Sequence, residues 1–102
     1  MDTSSEGKTK AAVFVFRLFV AGNEPHSKRA KDNFRKLCEQ RIKIPYELEI
    51  VDVFDSFEIA LENNIFLTPA LMMVSPAPAV TVFGDLSDTE EVSKALRLAG
   101  DE

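Results

Sequence analysis

The chain has a single cysteine, Cys38, and a single histidine, His26, among 102 residues. One cysteine excludes an intramolecular disulfide, and one Cys with one His falls short of the ligands a structural zinc site needs. That usage fits a reducing cytoplasm. Glycine is equally sparse. Its four positions, 7, 22, 84 and 100, are too scattered to form a phosphate-cradling loop.

Long apolar runs are missing too. The first, from Ala11 to Ala21, is eleven residues and is interrupted by Arg17, and the preceding "MDTSSEGKTK" has no apolar core. Neither a membrane span nor a signal peptide is expected, and residues 1–10 read as a disordered N-terminal segment. Between Ile44 and Ser93 there is no Lys or Arg at all, against ten acids, whereas Ala11 to Lys43 holds eight Lys/Arg and three acids. The net charge of −5 argues against a general nucleic-acid binder. Solvated helix and loop surfaces explain the split plainly. A surface with two opposite potentials that orients a protein partner is the functional alternative.

What remains is enough for one domain over residues 11–100, with 45% hydrophobic content. "AAVFVFRLFV" has the composition of a central strand covered on both faces. Pro25 then suits a first helical turn, and Ala30, Phe34, Leu37 and Cys38 make one stripe on a helix of about 25–40. "YELEIVDVF" alternates before turning apolar, as a second strand entering the core. "DSFEIALENNI" offers Asp55 or Ser56 as a cap for two or three helical turns. "TPALMMVS" and "AVTVFGD" flank Pro76 and Pro78 as a hairpin. Ser87 with Glu90 gives a capping-box pattern for a final helix carrying Val92, Ala95, Leu96 and Ala99, with Gly100 past its end. The order βαβαββα predicts an α/β, three-layer, thioredoxin-like fold with a mixed sheet.

In that frame the turn "LFVAGNEPHSKRA" stands where a Cys-x-x-Cys pair would be, yet Asn23 and His26 hold the thiol positions. Thiol exchange needs an attacking thiolate and a resolving thiol, and neither is present. Cys38 reads as a small buried hydrophobe. His26 with Glu24 and Ser27 superficially suggests an acid, base and nucleophile, but neighbours on one turn converge only if the fold makes them. Pro69, ahead of the third strand, is expected to be cis, as thioredoxin-like folds usually have at that place. Nothing here favours an enzyme.

The ordered motifs A-G-N-x-P-x-S, I-x-D-V, T-P-x-L and G-D-L-S, running from about Val13 to Leu98, resemble the KaiB family of circadian-clock proteins. The resemblance implies a cytoplasmic, non-enzymatic clock or signalling adaptor without cofactor or metal, which binds the ATPase ring of a KaiC-like partner. A KaiA or a SasA-like kinase is a possible further partner, and a homo-oligomer could form through a sheet edge. It also implies fold switching, in which a thioredoxin-like monomer exchanges with a tetramer-forming state that rearranges the chain after the second strand. Two other readings stay open: the KaiB-like sensor domain of a SasA-type histidine kinase, against which the end of the chain at Glu102 would count, and a stress-adaptation protein, without a true clock or using Cys38.

Two departures from cyanobacterial members refine this. Ala95 and Arg97 stand where those members carry Gly and Asp, which favours a final helix and hence the thioredoxin-like state. Asn64, Met72, Met73 and Val80 stand where they place basic residues. The partner-binding residues implied are therefore Asn23, Glu24, His26, Lys28 and Arg29, with Pro69, Ala95 and Arg97 as conformational determinants. An exposed Met72 or Met73 would add an apolar contact surface.

Overall fold

The computed structural model describes residues 14–98, so the expected disorder of residues 1–10 and Ala99 and Gly100 themselves lie outside the described residues, but the last helix, expected to reach Ala99, ends at Ala95. The elements are β1 (Phe14–Val20), α1 (Pro25–Arg41), β2 (Tyr46–Asp52), α2 (Phe57–Glu62), β3 (Ala70–Ser75), β4 (Val80–Phe83) and α3 (Thr89–Ala95). The sheet order is β2-β1-β3-β4, with β1 and β2 parallel and the other pairs antiparallel. β1 is central, as its apolar run requires. A one-residue shift between Val15 and Phe16 in the β1–β3 ladder leaves Val74 as the extra residue of a bulge.

The pleat of β1 divides the core in two. Phe16, Leu18 and Val20 point to the side of α1 and α3, where they pack with Phe34, Leu37, Leu71, Met73 and Leu96. Phe19 points to the side of α2 with Val51, Ala60, Ile65 and Met72. Both methionines of β3 are therefore buried, one on each face, and neither forms the apolar contact surface considered from sequence.

Two expectations need correction. β2 enters the core only at its C-terminal end, through Val51: it is an edge strand whose residues 46–50 are all exposed. Alternation reveals which face a residue takes, not whether a further strand lies alongside. The cap of α3 is Asp88, one residue after Ser87, because the Asp85 carboxylate accepts from the Ser87 N–H and turns the chain there. The Asp88 carboxylate then accepts from Glu91 N at 3.1 Å.

α2 and α3 end the same way. In α2 the N–H of Asn64 reaches Leu61 O and that of Ile65 reaches Ala60 O; in α3 Arg97 reaches Lys94 O and Leu98 reaches Ser93 O. These are paired Schellman bonds, which need a left-handed residue just past the cap. Asn64 (φ 61°) tolerates that conformation, but Arg97 (φ 59°) is an uncommon occupant. Arg97 is thus outside the helical turn in which the sequence placed it, and its role differs from the dipole contact expected there. Its guanidinium donates to the carbonyls of Pro76 and Pro78, at 3.0 and 3.1 Å, tying α3 to the β3–β4 turn. Arg97→Ala should lower the unfolding free energy by about 1 kcal/mol through loss of these exposed bonds. Arg97→Gly loses the same bonds but gains back roughly 1 kcal/mol of left-handed strain, so its urea midpoint should lie near that of the parent chain.

Candidate partner-binding site

Asn23 to Arg29 and Pro69 gather at the end of the sheet where β1 and β2 finish and β3 begins, whereas Ala95 and Arg97 lie apart from them, Arg97 against the β3–β4 turn. Val20 O accepts from Val53 N, and Asp52 Oδ1 accepts from Gly22 N and Phe54 N, so the turns after β1 and β2 are stitched together. Gly22 has φ +54°, and a Cβ there would sit 3.3 Å from Phe54 Cε2. The positive φ is what calls for glycine, since the exposed Phe54 ring could give by the few tenths of an ångström that a Cβ would ask. On the other side, Thr68–Pro69 is cis, and Pro69 O accepts from Gly84 N at 2.9 Å.

α1 begins at Pro25 with Glu24 as its cap, whose carboxylate accepts from Ser27 N at 3.1 Å. Ser27 is fully buried and its hydroxyl accepts from Ala21 N at 3.0 Å. The Glu24 and Ser27 side chains consequently serve the turn, whereas His26 is exposed and bonds Arg29, so the three do not converge as a catalytic set. Glu24 is half-buried, and its carboxylate is the cap of α1.

Asn23, His26, Lys28 and Arg29 are exposed. The Arg29 guanidinium donates from Nη2 to His26 Nδ1 at 2.7 Å and from Nε to Asp85 Oδ2 at 3.2 Å. Because a guanidinium only donates, His26 Nδ1 is the acceptor and its Nε2 carries the ring proton, aimed away from Arg29. Asn33 Nδ2 also reaches Asp85 O at 2.8 Å. The Asp85 carboxyl is held below its ordinary value, first by the Ser87 side chain and then by Arg29. The site is thus a fixed basic ridge on α1, braced by the loop after β4.

Sequence reasoning missed Asn33, Asp85 and Phe54. Asp85 was visible inside G-D-L-S, but its pairing with Arg29 spans 56 residues and has no local signature. Phe54, 75% exposed and packed over Gly22, adds an apolar knob to the polar ridge.

Cys38 lies about three turns from this end, buried beneath Tyr46. Burial pushes its thiol up from 9.0, the Tyr46 hydroxyl opposes this by donating to the sulfur, and the Glu39 carboxylate adds to the rise. The thiolate needed for exchange chemistry is disfavoured. Labelling of native Cys38 at pH 8 should run slower than in urea by roughly two orders of magnitude, and Tyr46→Ala should narrow that gap. Its raised value also has a sign for stability. The unfolded thiol ionises first, so this contribution is complete below about pH 9 and declines as pH rises further.

Among the described residues no group of three or more His, Cys, Asp or Glu could hold a metal ion, and no helix is long and apolar enough to cross a membrane.

The domain is thioredoxin-like in fold, with Asn23 and His26 where such folds carry a Cys-x-x-Cys pair and with Lys28 and Arg29 exposed on its first helix. Solved structures bear out the architecture. The N-terminal domain of Synechococcus elongatus SasA superposes with TM-score 0.70 at 21% identity, covering 90% of each chain. Mitochondrial thioredoxin 3 from Saccharomyces cerevisiae gives 0.67 at 16% identity, covering 92% of this chain and 86% of the other. Sequence carries the assignment further. Residues 17–98 match the family model described as the KaiB domain. The chain is 40% identical over 89 residues to the circadian clock oscillator protein KaiB of Prochlorococcus marinus, covering 87% of this chain and 83% of that one. The KaiB of Gloeothece citriformis is also 40% identical over 89 residues, with 87% and 84% covered. The protein belongs to the KaiB family of clock proteins.

Proposed function

We propose that this protein is a non-enzymatic, cytoplasmic adaptor that docks on a KaiC-like ATPase through the β1–α1 end, with His26, Lys28 and Arg29 as contacts and Asn23 beside them. The observation that carries this reading is the Arg29–Asp85–His26 constellation. It fixes a long cationic side chain in a thioredoxin-like nose that has no thiol. Pre-ordering such a side chain lowers the entropy lost on docking. Ala95 and Arg97 act as determinants that favour the thioredoxin-like arrangement, Ala95 by helix propensity and Arg97 by its hold on the β3–β4 turn. Pro69, at the entry to β3, is the third such determinant.

The SasA likeness is at 21% identity and speaks for the fold alone, so the adaptor remains the preferred reading over a kinase sensor domain. A thiol-based stress role is disfavoured by the burial of Cys38. Size-exclusion co-elution with a KaiC homologue, in ATP and in ADP, tests the proposal. A complex in at least one nucleotide state is expected, and separate elution in both would defeat the reading.

A further inference from the structure

A single short helix, α2, covers the second face of the sheet, and the cover is incomplete. Phe57 and Leu61, four residues apart on α2, are exposed, and with Val53, Ile65 and Phe66 they line an open apolar groove. Phe66 is 73% exposed and Leu67, next to it, 68%. Groups this large and apolar, clustered within one stretch of chain, mark a contact surface more than scatter.

The charge around the groove is of one sign. Glu58 and Glu62 form a second row on α2, beside the Phe57–Leu61 row and turned to solvent, and Asp55 precedes them. No Lys or Arg occurs from Ile44 to Ser93. The cation that β1 presents on this face, Arg17, is engaged by Glu49 at 3.2 Å and by Asn63 at 3.4 Å. An anionic membrane or a nucleic acid would meet carboxylates here. A second copy placed symmetrically on the groove would set these acids against their own images. The β2 edge lies elsewhere, so the groove offers no free strand to extend.

We propose that the α2 groove receives an amphipathic helical segment of a protein partner, with apolar residues at i and i+4 seated against Phe57, Leu61 and Phe66 and with Lys or Arg flanking them to meet Glu58 and Glu62. Apolar anchors in a groove supply affinity, and the carboxylate row selects cationic over acidic helices. This surface is separate from the Arg29 ridge and does not depend on the KaiC reading.

The probe is a synthetic Leu/Lys helical peptide of about five turns, compared with a Leu/Glu peptide of the same apolar pattern. Backbone NMR titration of the full chain near 0.1 M salt, about one Debye length of 10 Å, reads both affinity and location. The Leu/Lys peptide should shift resonances of residues 53–68 and bind roughly tenfold or more tightly than the Leu/Glu peptide. Phe57→Ser with Phe66→Ser should weaken it by roughly tenfold or more with little change in urea midpoint, since both side chains are exposed. Glu58→Lys with Glu62→Lys should reverse the preference. Shifts centred on another surface, or a preference untouched by the charge reversal, would overturn the proposal. So would a concentration-dependent dimer in sedimentation that Phe66→Ser abolishes, because the occupant would then be a second copy.

Discussion

Phe16→Ala should be the most damaging single truncation among the described core residues, lowering the unfolding free energy by about 3–5 kcal/mol. Phe16 is fully buried on the central strand, where four aromatic rings meet. Its ring lies 5.0 Å from that of Phe34 in an edge contact, 6.1 Å from that of Tyr46, and 5.9 Å from the stacked ring of Phe14. Removing it therefore opens a cavity under α1 and also strips edge contacts from Phe34 and Tyr46, the residue that covers Cys38. Against a total stability of about 5–15 kcal/mol, usual for such domains, the loss leaves a marginal protein. Phe16→Leu keeps most of the volume and should cost less than about half as much. Phe83→Ala, at a half-exposed site on β4, is the control and should cost under about 1 kcal/mol. Urea unfolding reads all three. A Phe16→Ala cost no larger than that of Phe83→Ala would show that the aromatic cluster does not organise the core. Native Cys38 labelling should also accelerate in Phe16→Ala, since Tyr46 loses its support.

Why β1 and α1 were legible in full, and β2 as a strand but not as an edge, follows from the same packing. A strand buried on both faces leaves an unbroken apolar run, and a helix over it leaves a stripe, so Phe14–Val20 and Pro25–Arg41 announce themselves. β2 carries Tyr46, Leu48 and Ile50 on the α1 side, as their register with Phe14, Phe16 and Leu18 shows, yet all three are exposed. Their pattern is that of a core strand, and only the sheet order places them at an edge. The candidate site divides in a similar way. Asn23 to Arg29 is contiguous and recognisable by its glycine, its proline and its missing thiols. Asp85, Asn33 and Phe54 are brought to it by tertiary structure. The shifted cap of α3 belongs with them, because the turn that displaces it is made by the carboxylate that also holds Arg29.

That shared carboxylate makes Arg29 the residue through which binding can be separated from stability. Arg29→Ala should weaken association with a KaiC-like partner by roughly 30-fold, about 2 kcal/mol, the loss typical of an interfacial arginine anchor. Its urea midpoint should move little, because an exposed ion pair contributes under about 1 kcal/mol. Arg29→Lys keeps the charge but cannot reach His26 and Asp85 from one planar fork, so it should recover only part of the affinity. Asp85→Asn leaves the cation and removes the brace. If the braced geometry matters, it should weaken binding without altering the salt dependence as much as Arg29→Ala does. The acid side supplies a further check. The Asp85 carboxyl is held below its ordinary value of 3.8, so its folded-state contribution persists at higher pH and disappears only as pH falls through that depressed value. Between about pH 5 and 8 the Asp85 carboxylate stays ionised, so the pH profile of binding in Asp85→Asn should parallel that of the parent chain. Binding by Arg29→Ala equal to that of the parent would remove the α1 ridge from the interface, whereas equal loss from Arg29→Ala and Arg29→Lys would place the weight on the fork geometry and not on charge.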